Sequence, residues 1–314
     1  MARRVRVSAL GLRPITFPEG TSYEDMVKGE WDYLYEYIQQ VLRTRPDFIV
    51  LNEACDRPVG ITMEQRKAYY GVRGNRILEK MQEVAKENKV NIAYSACLQM
   101  EDKTYRNCTV FIGREGEVRG VYNKNYLVIA EYTNGEILYG KEAPVIEMDF
   151  GTVGGIICFD LNYMELLSRY EKNRPELLVF SSMYHGGHVQ SHWAYTCRSW
   201  FVGACSGLPC NVLNPLGISE ASSTNYYPYV THDINLDYAV VHLDENWHKL
   251  EALKEKYGRE VTVYDPGQIG AVLITSESDT VSAMDMVKEF DIELLDHYFE
   301  RSINARYLPG RMEE

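Results

Sequence analysis

The chain has 314 residues, 45% of them hydrophobic and 25% charged, an ordinary globular composition with enough length to bury one large core. A formal net charge of -12 argues against a phosphate-binding surface, which depends on clustered Lys and Arg, so no nucleic-acid partner is expected. The seven cysteines are odd in number and sit mostly inside apolar runs, the pattern of reduced thiols in a cytoplasm rather than of a disulfide framework.

The start, Met1-Ala2-Arg3-Arg4, has the basic flavour of a signal peptide, but Arg6 and Arg13 interrupt the apolar stretch before an adequate core forms. No apolar run is long enough to span a bilayer, so no membrane association is expected. Val5 to Leu12 suits a buried strand. Between Thr21 and Thr44, Tyr23, Val27, Trp31, Leu34, Ile38 and Val41 recur at helical spacing, opened by a Thr21/Glu24 capping box and stopped before Pro46. Phe48 to Leu51 returns to strand. A second helix carries Ile77, Leu78, Met81, Val84 and Ala85 on one face, and Val90 to Leu98 is again β. Strand, helix, strand, helix, strand is the order of a layered α/β domain.

A hairpin follows, Tyr105 to Ile112 and Val118 to Tyr122, joined by the turn-rich Gly113 to Glu117. The second half repeats the theme with strand Thr152 to Cys158, helix Asn162 to Tyr170, strand Leu177 to Ser181, and a helix bearing Trp193, Cys197, Trp200 and Phe201. No linker separates the halves, which read as one domain. Further on, Tyr238 to Leu243 and Ile269 to Thr275 read as strands, and Val287 to Ile303 as an exposed amphipathic helix whose stripe is Phe290, Leu294, Leu295 and Tyr298. The expected division is a domain over residues 1–280 and a helical tail over 281–314, the tail packing at a dimer interface.

Two segments run an apolar strand directly into a reactive side chain. Phe48 to Asn52 ends on Glu53, and Val153 to Ile157 ends on Cys158 and a helix start. Ligands in open α/β folds gather at carboxyl ends of strands, so both residues stand where a site is expected. In a third segment, Gly120 to Leu127, Lys124 closes the hairpin in polar, aromatic company that includes Tyr126. Taken singly, a strand-end cysteine is more often a small buried hydrophobe, and a Glu or Lys there a solvated cap.

Together these segments resemble the nitrilase superfamily of carbon–nitrogen hydrolases, over roughly Arg4 to Thr275. The anchors are the Glu closing the second strand, Tyr122-Asn123-Lys124 before the loop leading to the nucleophile strand, and the Gly-x-x-Gly-x-x-Ile-Cys-Phe-Asp run from Gly151 to Asp160. Trp193 and Arg198 fall where the family carries a Trp and an Arg on the following helix. The resemblance implies an α/β fold, a four-layer-forming αββα sandwich that dimerises, no cofactor, and a Glu53-Lys124-Cys158 triad. A fourth acid commonly holds the lysine; Glu131 is the better candidate and Glu136 its rival.

The chemistry has its own logic. A thiol at a helix N-terminus beside a lysine is biased toward thiolate. Lys124 and the backbone N–H of Phe159 can stabilise a tetrahedral oxyanion, while Glu53 takes and returns the proton. Asn162, Tyr184 and His185 are expected to line the substrate pocket with Phe159 and Tyr126. His185, His188 and His192 invite a metal reading, but no carboxylate or cysteine stands at a matched position, so no metal is expected.

The substrate class implied is a small-molecule amide or N-carbamoyl compound. Nitrile-hydrolysing members usually follow the cysteine with Trp-Glu, where this chain has Phe159-Asp160. Carbamoyl-amino-acid hydrolases continue with an Arg and an aromatic-Pro pair. Leu161-Asn162-Tyr163-Met164-Glu165 has neither, which removes a bidentate carboxylate clamp at that place. The alternatives are a nitrilase acting on a small nitrile, a Cys-His hydrolase using His185, and a catalytically silent binding protein.

Overall fold

The computed structural model describes residues 1–313 and divides into two compact units, Val5–Ile234 and a second made of Met1–Arg4 with the chain from Asn235 onward. In chain order the larger unit carries β1 (Arg4–Leu10), β2 (Phe48–Leu51), β3 (Asn91–Gln99), β4 (Tyr105–Ile112), β5 (Val118–Asn123), β6 (Val145–Glu147), β7 (Thr152–Ile157), β8 (Leu177–Ser182), β9 (Trp200–Cys205), β10 (Asn211–Leu213), β11 (Ser219–Ser222) and β12 (Tyr229–Asn235). Two six-stranded sheets result, ordered β12-β1-β2-β3-β4-β5 and β11-β10-β9-β8-β7-β6. At the centre of each, parallel strands pair: β1 with β2 and β2 with β3 in one, β7 with β8 and β8 with β9 in the other. The expected hairpin is present, with Phe111 opposite Gly120.

Helices cover the outer faces. On the first sheet lie α1 (Tyr23–Leu42), α2 (Met63–Arg73) and α3 (Arg76–Asn88); Leu34, Ile38, Val41, Ile77, Met81 and Val84 join Ile49, Leu51, Ile92 and Val110 in one buried cluster. Each such side chain contributes about 1.5–3 kcal/mol on burial. The second sheet is covered by α5 (Met164–Asn173) and α6 (His188–Cys197), which follow the short α4 (Ile129–Thr133). The Tyr170 hydroxyl donates to the Gly155 carbonyl at 2.8 Å and so fixes α5 onto β7. Between the sheets, the Ser181 hydroxyl donates to the Leu51 carbonyl at 2.8 Å, joining the carboxyl ends of β8 and β2. The expected αββα sandwich is the architecture of this unit.

Several local expectations are corrected. The cap of α1 is Ser22, which accepts from the Asp25 N–H, while the Thr21 hydroxyl bonds back to Pro18. Trp200 and Phe201 belong to β9, because the helix ends in a left-handed turn at Arg198. Helix α2 was missed, although Thr62 and Gln65 form the capping box that announces it.

The smaller unit has its own three-stranded sheet, in which Ala271–Ser276 is flanked by Tyr238–His242 and Val261–Tyr264, and three helices, α7 (Trp247–Tyr257), α8 (Ala283–Glu289) and α9 (Leu295–Arg306). Where the sequence suggested a tail from residue 281, this unit begins at Asn235. The single helix expected over Val287–Ile303 is two, broken between Phe290 and Leu294. Its stripe folds onto its own unit: Leu295 is buried, Phe290 and Leu294 pack on the local core, and Tyr298 stacks on His242 with centroids 3.6 Å apart. Exposed apolar residues from Phe299 onward include Ile303, Tyr307, Leu308 and Met312 as well as Phe299 itself. Among the described residues no helix is long and apolar enough to cross a membrane.

Candidate active site

The site is assembled at the carboxyl ends of β2, β5 and β7. Beyond β2, the Asn52 side chain accepts from the Leu12 N–H at 3.0 Å, which fixes the backbone that carries Glu53. Beyond β5, the Lys124 N–H donates to the Asn107 carbonyl at 2.9 Å, and its own carbonyl accepts from Gly140 at 2.7 Å. Beyond β7, the chain turns sharply into a 3-10 helix over Cys158–Asn162, with Cys158 at φ +49°. A non-glycine residue in that left-handed region costs of order 1–3 kcal/mol, a strain that recurs at functional sites.

Asp160 holds this turn. Its buried carboxylate accepts from Tyr122 Oη at 2.7 Å, from the Ile157 N–H at 3.0 Å and from the Tyr126 N–H at 2.7 Å. It therefore ties the Cys158 turn to the lysine loop. Burial pushes its carboxyl up to about 7 despite those donors. The approach of the two strands depends on Gly155, where a Cβ would stand 2.7 Å from Tyr122 Cβ.

At the centre, Lys124 Nζ donates to Glu53 Oε1 and to Glu131 Oε2, both at 2.8 Å. Asn107 Nδ2 donates to the same two carboxylates, again at 2.8 Å each. Lys124 is 1% exposed and Glu53 4%. Burial alone would neutralise both, but their mutual attraction wins: the lysine is raised above its ordinary range, and Glu53 is lowered by Lys124 and by a hydrogen bond with Cys158. Glu136, the rival fourth acid, is exposed and pairs with Lys67 at 2.9 Å instead. Glu131 occupies the place beside the lysine.

The thiolate expectation is overturned. Burial, followed by the Glu53 charge, pushes the Cys158 thiol up to about 12, with Lys124 and a hydrogen bond from the Met183 backbone opposing. One lysine cannot favour a thiolate when two carboxylates already share it. Both effects favour a Cys158 thiol hydrogen-bonded to the Glu53 carboxylate.

The remaining candidates fall around this centre unequally. Tyr184 and Asn162 meet, with Asn162 Nδ2 donating to Tyr184 Oη at 3.1 Å. Tyr126 stacks on Tyr163 at 3.7 Å and donates to Glu165 at 2.7 Å, so its backbone rather than its hydroxyl reaches the Cys158 turn. Phe159 packs edge-on against Tyr163, and its N–H lies in the first turn of the 3-10 helix, where donors lack intrahelical acceptors. His185 is occupied: Nδ1 accepts from the Gly187 N–H at 3.1 Å and Nε2 lies 3.0 Å from Asn211 Nδ2. His188 and His192 are exposed, and no cluster of His, Cys, Asp and Glu fit to hold a metal occurs among the described residues. Asn107 was not foreseen, though a lone amide entering the apolar run Cys108 to Ile112 is the signal that would have found it.

Residues 7–249 match the model of the carbon-nitrogen hydrolase family. A probable nitrilase of Schizosaccharomyces pombe is 26% identical over 146 residues, 46% of this chain and 52% of that protein. The chloroplastic omega-amidase of Arabidopsis thaliana is 25% identical over 140 residues, 40% of this chain and 38% of that protein. The chain thus spans about half, or less, of the length of these relatives. The solved structure of Saccharomyces cerevisiae Nit3, a nitrilase-superfamily member, superposes with a TM-score of 0.62 at 12% identity, covering 85% of this chain and 97% of the other. That likeness is one of fold.

Proposed function

The chain belongs to the carbon-nitrogen hydrolase family, and from that premise we propose that it hydrolyses a non-peptide carbon–nitrogen bond of a small amide or N-carbamoyl compound through a thioester on Cys158. The observation that carries the reading is the buried Lys124 shared between Glu53 and Glu131 beside a strained cysteine.

Glu53 takes the thiol proton as Sγ attacks the carbonyl carbon. Burial and the Glu53 charge raise the thiol above its ordinary range, which favours transfer of the proton in company with attack. The oxyanion forms against Lys124 Nζ and the Phe159 N–H, a kind of donor whose removal typically costs about 2.7–4 kcal/mol of barrier. The intermediate collapses as Glu53 returns the proton to the departing amine. Glu53 then deprotonates water, which attacks the thioester, releases the acid and restores the thiol. Glu131 and Asn107 hold the lysine and the glutamate in register. Every group needed belongs to the protein, and the sequence reading of no cofactor stays part of the proposal.

His185 is the weaker base, since both of its ring nitrogens already have protein neighbours. Amides are preferred to nitriles on the strength of Phe159-Asp160. Homodimerisation, an implication of the family resemblance, belongs to the same proposal and is tested by light scattering. Ammonia release from matched primary amides, N-carbamoyl compounds and nitriles tests the reaction. Turnover of amides that disappears in Cys158→Ala is expected; a nitrile converted faster than its amide would overturn the branch assignment.

A further inference from the structure

A cavity of about 480 Å³ opens between the carboxyl ends of β1 and β9, one face of α1 and the chain leading into β12, and none of the residues named for the candidate active site lines it. That volume suits a small molecule rather than a single ion. Its floor is stitched together by backbone. The Gly11 N–H donates to the Pro228 carbonyl and the Gly207 N–H to the Gly11 carbonyl, both at 2.8 Å, and the Ser206 hydroxyl donates to the Leu12 carbonyl at 2.9 Å. Gly11 permits this approach, since a Cβ there would stand 2.1 Å from the Cys205 carbonyl oxygen.

Among the described residues that line the cavity, Arg13 alone carries a charge, and no acid stands with it. Its stem lies along the turn between β9 and β10. Gly207 makes that bed: its φ is +63°, and a Cβ on it would stand 2.7 Å from Arg13 Cγ. Helix α1 contributes Tyr33 and Tyr37, four residues apart and so on one face, with ring centroids 5.3 Å apart and edge-on. The Arg13 charge reaches the Tyr33 hydroxyl, but burial raises that hydroxyl above its ordinary range and keeps it a neutral donor. Tyr226 stands at the rim, 82% exposed.

These walls set three demands on an occupant. The guanidinium asks for an anion, and its planar fork matches a carboxylate. A single positive charge with no acid beside it is neutralised by a monoanion. Three phenol rings ask for a flat apolar body, which they meet edge-on or offset. We propose that this cavity binds a small aromatic carboxylate, with the carboxylate on Arg13 and the ring among Tyr33, Tyr37 and Tyr226. The inference does not rest on the hydrolase reading.

Calorimetry of the full-length protein with 2-naphthoate, 2-naphthalenemethanol and octanoate tests it, since the second probe lacks the charge and the third lacks the rings. 2-Naphthoate is expected to bind most tightly of the three. Arg13→Gln should weaken it about 10- to 100-fold, the usual effect of losing a charge-assisted contact, and leave the alcohol unmoved. Arg13→Lys should recover part of the loss, because a point charge remains without the fork. Tyr37→Leu should cost about 2- to 10-fold, the worth of one aromatic contact. Arg13 is exposed, so its substitution should leave the urea midpoint in place. Binding should also persist once iodoacetamide has alkylated Cys158, which separates this cavity from the candidate active site. An affinity indifferent to Arg13→Gln would overturn the site, whether or not alkylation abolished it, and so would equal affinity for the three probes or no binding of 2-naphthoate at millimolar concentration.

Discussion

Two buried acids three residues apart, Glu53 and Asp56, are handled in opposite ways. Asp56 Oδ2 accepts from Arg73 and from the Tyr94 hydroxyl while its Oδ1 is buried without a partner; the same arginine also donates to the Cys97 carbonyl. Glu53 shares its lysine with a second acid, accepts from Asn107 and hydrogen-bonds a thiol. Both are desolvated, and both are paired. Burial of charge therefore does not mark a site by itself. What distinguishes the Glu53–Lys124 pair is excess: two carboxylates for one lysine, beside Cys158, the proposed nucleophile, held in a left-handed backbone conformation.

The largest expected effect breaks the reactive side. Glu53→Gln should lower kcat by about 10²–10⁴-fold, the usual worth of a positioned proton shuttle. It should also let the Cys158 thiol titrate lower, because the carboxylate's charge and hydrogen bond both raise it. Alkylation rate against pH reads that midpoint. A slower enzyme with a more acidic thiol separates proton transfer from mere electrostatics, whereas a higher midpoint would contradict the account.

On the structural side, Arg73→Met strands Asp56 in the core and should destabilise the protein by about 3–5 kcal/mol, read as a lower urea midpoint. The folded fraction should keep its kcat/KM. A fall in kcat matching that of Glu53→Gln would erase the distinction between the two acids.

Glu30 sharpens the comparison from a third direction, as an acid that burial keeps protonated against the opposing charge of Arg57. Its folded pKa, near 9, exceeds that of the unfolded chain, so the folded state binds an extra proton between the ordinary carboxylate range and pH 9. Stability from this group is full below that window and is lost as pH rises through it. Glu30→Gln should flatten the decline of Tm between pH 5 and 9; an unchanged slope would mean that Glu30 is ionised in the folded protein.

The strands that carry Glu53, Lys124 and Cys158 were legible because period-two and unbroken apolar runs leave little choice, and their ends stood where ligands gather. The choice of Glu131 over Glu136 was not decidable by spacing, since both lie in one irregular loop and only its closure onto Lys124 separates them. The ionisation of Cys158 was misread for a related reason. A sequence shows that a lysine will be near, but not how many acids it already serves. The smaller unit escaped because its strands read as continuations of the larger one's.

The central claim is that Cys158 carries the acyl group during turnover, and rapid quenching of an amide reaction followed by peptide mass mapping tests it most directly. The account predicts an acyl adduct on the Cys158 peptide, formed with one ammonia released per adduct and absent from the six other cysteines, all of which are buried. Ammonia released at full rate with Cys158 unmodified, or turnover surviving in Cys158→Ala, would contradict it.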